Sequence, residues 1–153
     1  MSTERTIALS GQFVRDDTRV AAAAITPGEL VEVNSAGAVA AHSTAAGVAA
    51  GGFAFENELL GKGIDTDIAA GDQVPVGYFH SGAIVNAFLD VSQTIAAGDA
   101  LESAGNGNLQ ARTPFSQSGT SPFAVIPEGH TVGFAEEAVT TTAARLRIKV
   151  RVA

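Results

Sequence analysis

The 153-residue chain has no cysteine and no tryptophan, one tyrosine and one methionine. Without cysteine there is no disulfide framework, no thiolate zinc site and no cysteine nucleophile. Charge is scarce as well: 16% of residues are charged, where about 25% is usual. Nine bases stand against 16 acids, a net charge of −7. Phosphate backbones are gripped by clustered Lys and Arg, so no nucleic-acid partner is expected. A membrane partner is not expected either. Residues 36–55 carry no formal charge, but Val39, Val48, Phe53 and Phe55 are their only large apolar members. Glycines and His42 break up the rest, whereas a spanning helix wants about 20 predominantly apolar residues. Glu4, Arg5, Arg15, Asp16, Asp17 and Arg19 interrupt any signal-like apolar core near the first residue.

The apolar residues that are present lean towards β-structure. Val and Ile number 23 and Leu and Met nine, and branched side chains suit a pleated surface. A spacing of Ile-x-x-Gly followed three residues later by Val or Leu occurs four times: Ile25-Gly28-Val31, Ile68-Gly71-Val74, Ile95-Gly98-Leu101 and Ile126-Gly129-Val132. In three of them an acid follows the glycine (Glu29, Asp72, Asp99). Each reads as a turn entering a strand, the glycine allowing positive φ. Gly52-Phe53-Ala54-x-Glu56 returns as Gly133-Phe134-Ala135-x-Glu137. These matches predict an internal duplication, residues 25–90 and 95–153, of a β-meander unit, with the extra length of the second copy in residues 113–120.

The expected fold is therefore all-β: a small barrel-like domain over residues 20–153 with very little helix, at most a turn or two within 135–144. Hairpins are expected at 29–41 and 102–112, and residues 73–79 are expected to pair with 83–89 around His80-Ser81-Gly82. Residues 145–152 alternate strictly, which turns Leu146, Ile148, Val150 and Val152 to the core and Arg145, Arg147, Lys149 and Arg151 outward. That basic face suits a solvated edge strand or a subunit or partner contact, because residues 20–144 sum to −11. Residues 1–19 sum to zero and alternate only loosely, so they read as an extended N-terminal arm whose anchors are Ile7, Leu9, Phe13, Val14 and Arg15. On this reading, removing the arm leaves a folded domain.

Signals for chemistry are weak. His42, His80 and His130 lack metal-ligand spacing and read as loop residues. Asp65-Thr66-Asp67 begins like a calcium loop, but Ala69 and Val76 occupy later ligand positions. Gly61-Lys62-Gly63 lacks the remainder of a phosphate loop, and no Gly-x-Ser-x-Gly occurs. Glu56/Glu58 and Glu136/Glu137 read as solvated turn residues. No catalytic residue, metal or cofactor is expected, and the protein is read as non-enzymatic.

The Gly28-Glu29 and Gly98-Asp99 strand entries, the two Gly-Phe-Ala segments and the basic alternating last strand together resemble the small capsid decoration (cement, head-stabilising) proteins of tailed bacteriophages. The resemblance spans residues 20–153. It implies a virion structural protein, assembled in the host cytoplasm. As a homotrimer it would sit at three-fold positions on the capsid exterior and hold neighbouring major capsid protein subunits together. It also implies an N-terminal arm reaching onto the capsid, which maps by position to residues 3–20. The alternative reading is a virion adhesin or carbohydrate-binding β-module, for which nine aromatics and no Trp are a poor stacking surface.

Overall fold

The computed structural model describes residues 2–114, 116–118, 124–126 and 130–153. The protein is all-β, with fifteen strands among the described residues and a single 3-10 turn at Glu58–Leu60. The strands are β1 (Ala8–Ser10), β2 (Phe13–Val20), β3 (Leu30–Val33), β4 (Val39–Ala41), β5 (Gly52–Ala54), β6 (Gln73–Phe79), β7 (Ile84–Leu89) and β8 (Thr94–Ile95). They continue with β9 (Ala100–Ser103), β10 (Leu109–Ala111), β11 (Ser116–Ser118), β12 (Ala124–Ile126), β13 (Gly133–Ala135), β14 (Val139–Thr140) and β15 (Leu146–Val152). No helix among the described residues is long and apolar enough to cross a membrane.

Local chemistry explains how the strands begin. Gly28, Gly71 and Gly98 all have positive φ, between 84° and 99°. In each case the acid that follows donates its N–H to the carbonyl three residues back: Glu29 to Thr26, Asp72 to Ala69, Asp99 to Ala96. A turn with positive φ at its third residue favours glycine there, and the strand starts on its far side. The fourth expected copy includes Gly129, which lies outside the described residues, as do parts of the 113–120 insertion.

Five strands close into a barrel in the order β7-β10-β9-β13-β15, with β15 returning to pair with β7. The other sheet runs β2-β6-β5-β3-β4, and a parallel bridge from Ala21 to Val39 draws its two ends together. The connectivity is the same in both. Gly52 lies opposite Val31 and Tyr78, and Gly133 lies opposite Leu101 and Val152. Neither glycine tolerates a Cβ: one would come within 2.8 Å of the Tyr78 ring at position 52 and 2.5 Å of the Arg151 carbonyl oxygen at position 133. The order is not that of a meander, because β5 and β13 pair with the first strand of each hairpin and not with its return strand.

Three further expectations are corrected. Residues 80–83 do turn, the Ala83 N–H donating to the His80 carbonyl, but β6 and β7 enter different sheets and do not pair. Residues 135–144 hold strand β14 and no helix. Residues 1–19 are not a detached arm. Strand β2 pairs with β6 from Phe13–Phe79 to Val20–Gln73, β1 pairs with β7, and Ile7 is fully buried.

The core is in two parts. Val31, Val39, Ala54, Ile68, Val74 and Val76 fill the first sheet. Leu30, Phe53, Phe55 and Phe79 leave its other face and join Ile7, Leu89, Leu101, Leu109, Ile148 and Val150 in the larger cluster. The barrel and the sheet are thus welded by shared apolar packing, each large side chain contributing about 1.5–3 kcal/mol. β15 alternates as expected, but it is hydrogen-bonded on both sides and is not an edge strand.

Deleting residues 1–19 is expected to abolish cooperative unfolding followed by circular dichroism, since it removes most of β2 together with Ile7. Ile148→Asp is expected to do the same, because an unpaired carboxylate would be buried at a cost of several kcal/mol. A cooperative transition in either variant would contradict the packing described.

Candidate interaction site

The four cations expected on the outer face of β15 each meet an acid of the same chain. Arg145 Nη1 donates to Glu29 Oε1 at 2.5 Å and to Asn108 Oδ1, and its Nη2 donates to Thr26 Oγ1. Arg147 donates to Asp65 Oδ1 at 2.7 Å and to the carbonyls of Pro27 and Ile64. Lys149 reaches Glu4 at 3.2 Å, and Arg151 reaches Glu136 at 2.6 Å. The guanidiniums of Arg145 and Arg147 lie 4.0 and 4.4 Å from the centroid of the Phe88 ring, a geometry in which the ring face attracts the cation. Glu29 lies in the turn that enters β3 and Asp65 in the segment joining β5 to β6, so the basic face bolts the barrel to the turns and connections of the first sheet. At its far end, the Arg151 guanidinium hydrogen-bonded to Glu136 holds that carboxyl below the usual carboxylate range.

The N-terminal segment crosses the same junction. The Ser2 N–H donates to the Arg147 carbonyl, and Asn86 Nδ2 donates to the carbonyls of Glu4 and Thr6. Buried Glu56 accepts the Thr6 hydroxyl at 2.5 Å and the Ile7 N–H at 3.3 Å. The expected anchors therefore separate. Ile7 is inside the core and Leu9 is half-buried, while Phe13 and Val14 on β2 are 38% and 59% exposed. Arg15 is paired with Asp17 at 2.8 Å and lies 5.8 Å from the Phe55 centroid. Between β1 and β2 runs a groove of about 200 Å³ lined by Thr6, Ala8, Phe13, Arg15, Phe55 and Glu58. Phe13 packs edge-on against Phe55, centroids 5.0 Å apart, and against Phe79 at 5.2 Å.

His42 lies in a loop as expected, just after β4, but it is buried there. Its Nδ1 lies 2.7 Å from Ser103 Oγ and its Nε2 lies 3.0 Å from the Val48 carbonyl, with Glu32 Oε2 at 3.8 Å. A Ser-His-Glu set has the elements of an activated nucleophile, but Ser103 is fully buried and its Oγ already accepts the Gly105 N–H. The Val48 carbonyl takes a donor at Nε2, and Nδ1 pairs with the Ser103 hydroxyl, so both ring nitrogens are spent on structural hydrogen bonds. The trio ties β9 to the end of β4. Sequence reasoning missed it because nothing local marks a histidine 61 residues from its serine. His80 and His130 are exposed. Asp65 is held by Arg5 and Arg147, and Asp67 accepts the Thr26 hydroxyl. No three metal-ligating side chains converge among the described residues.

Arg147→Ala is expected to lower stability in urea by about 2 kcal/mol or more, since it removes charge-assisted hydrogen bonds and a ring contact. Arg151→Ala, at an exposed pair, is expected to leave the midpoint close to the parent's. The reverse ranking would show that the junction is not held by the basic face. No protein-family model matches the chain, and no curated protein matches it.

Proposed function

We propose that this protein is a non-enzymatic virion structural protein, a cement protein that binds the outer surface of a tailed-phage capsid and stabilises its lattice. The major capsid protein is the partner in this reading, and the protein acts as a homotrimer on the capsid exterior. The shared connectivity of sheet and barrel supports descent from a duplicated unit. The observation that carries the reading is the exposed apolar pair Phe13 and Val14, on a strand whose outer side is unpaired from residue 13 to residue 19 among the described residues.

An adhesive strand set in a stiff body suits lattice binding. The body cannot bend between sheet and barrel without breaking the Arg145–Glu29 and Arg147–Asp65 pairs. Contacts made at β2 are therefore transmitted through the whole molecule, and several copies on one oligomer gain by effective concentration. The basic face of β15 is occupied by this chain's own acids, so the reading rests on β2 and not on those cations.

Val14→Asp is the informative variant, because Val14 is exposed and its loss spares the core. It is expected to keep the parent's thermal midpoint and to lose co-sedimentation with expanded empty heads, while the parent co-sediments. Undiminished decoration by the variant, or no decoration by the parent, overturns the proposal. Sedimentation velocity of the free protein tests the trimer.

A further inference from the structure

The two sheets differ at one position. In the barrel, the side of β7 that faces away from β15 is shared by two segments. β10 takes its end through Leu109–Leu89, and β1 takes its start through Ala8–Val85 and Ser10–Ile84. In the first sheet, β2 occupies the place of β7, and the Ala21–Val39 bridge stands where β10 does. The place of β1 is unfilled among the described residues. The register identifies the unfilled stretch: Arg15 faces Gly77 as Ile84 faces Arg151, and Asp16 faces Val76 as Val85 faces Val150.

We infer that the edge of β2 at residues 13–16 receives an extended segment of the partner protein, one that turns apolar and basic side chains to the same face, that of the groove. This deepens the lattice-binding reading and rests on it for the partner's identity. The backbone is turned the right way. The His80 N–H donates to the Gln12 carbonyl, so by alternation Val14 and Asp16 point their amides at β6 while Phe13 and Arg15 point theirs outward. Such an added strand gains main-chain hydrogen bonds, with side-chain sites setting the register.

Side-chain chemistry sets the occupant. The groove beside this edge is floored by Phe13 and Phe55, which suits an apolar side chain. Among the described residues, its carboxylates are Glu56, engaged by Thr6 and the Ile7 N–H, and Glu58, which has no ion pair. Its one cation, Arg15, is already neutralised by Asp17. The net field therefore favours Lys or Arg and disfavours an acidic strand.

The test uses a fluorescein-labelled eight-residue peptide with valine and lysine taking turns at its odd positions and threonine at its even ones, so that both face the groove, and a counterpart with glutamate in place of lysine. The full chain is expected to bind the lysine peptide saturably in fluorescence anisotropy and not the glutamate peptide. Arg15→Pro deletes an outward N–H while sparing the β6 side, and is expected to weaken binding about tenfold. Arg15→Ala keeps that N–H, leaves Asp17 without its cation and is expected to bind the lysine peptide at least as tightly as the parent, and Glu58→Lys is expected to weaken binding several-fold. Independently of whether the proline variant folds, hydrogen exchange on the parent is expected to show the peptide protecting the Phe13 and Arg15 amides. Equal binding of both peptides, undiminished binding by a folded Arg15→Pro variant, or no protection of those amides overturns the inference. Peptide binding without decoration of heads would sink the capsid reading and leave the edge site standing. Decoration without peptide binding would do the opposite.

Discussion

Arg145 and Arg147 project to the same side of β15, lie over one phenyl ring, and reach across the junction to carboxylates and carbonyls in the turns and connections of the first sheet. The planar guanidinium suits both tasks: its faces stack on Phe88 while its edge donates several hydrogen bonds at fixed angles, which the point charge of a lysine cannot do. Because the ring and the acceptors shield these charges from water, the attraction is stronger than at an open surface pair. The path of the first ten residues follows from this arrangement. Ser2 hydrogen-bonds to the backbone of Arg147, Glu4 to Lys149, and Arg5 shares Asp65 with Arg147.

What could be read from the sequence depended on whether the signal was local. β15 was legible because every second residue is aliphatic, with Ile148, Val150 and Val152 buried and Leu146 packed at the core's margin. The strand-entering turns were legible because positive φ confines the choice of residue. β2 was not: an edge strand with charges at Arg15, Asp16, Asp17 and Arg19 and an irregular register between Asp16 and Arg19 shows no clean alternation. Ile7 reads as an arm anchor because the core it enters is assembled from residues scattered along the chain, from Leu30 to Val152. The turn at His80 was real, yet turn chemistry says nothing about whether the two arms pair. The outward direction of the basic face was correct, whereas its acids, up to 145 residues distant, were beyond any spacing rule.

The same motif meets opposite fates in the two sheets. Phe53 is fully buried, because the face it leaves is covered by the barrel, while Phe134 at the matching position is 40% exposed. Joining two similar units into one body thus makes them unequal: each covers a different part of the other, and what is interior in one becomes surface in the other. The exposed groove at β2 arises from this inequality, since a single amino-terminal strand cannot serve both sheets at once.

Strand β15 is the last element of the barrel and also the one that closes it, pairing with β7 across six residues. While the chain is still emerging from the ribosome, β7, β9, β10 and β13 can assemble only an open sheet with one ragged side. The acids at positions 4, 29 and 65 meanwhile await cations that have yet to be synthesised. Contacts so far apart along the chain slow folding. The barrel therefore cannot close until β15 has been made, and until then the open sheet presents unpaired edges.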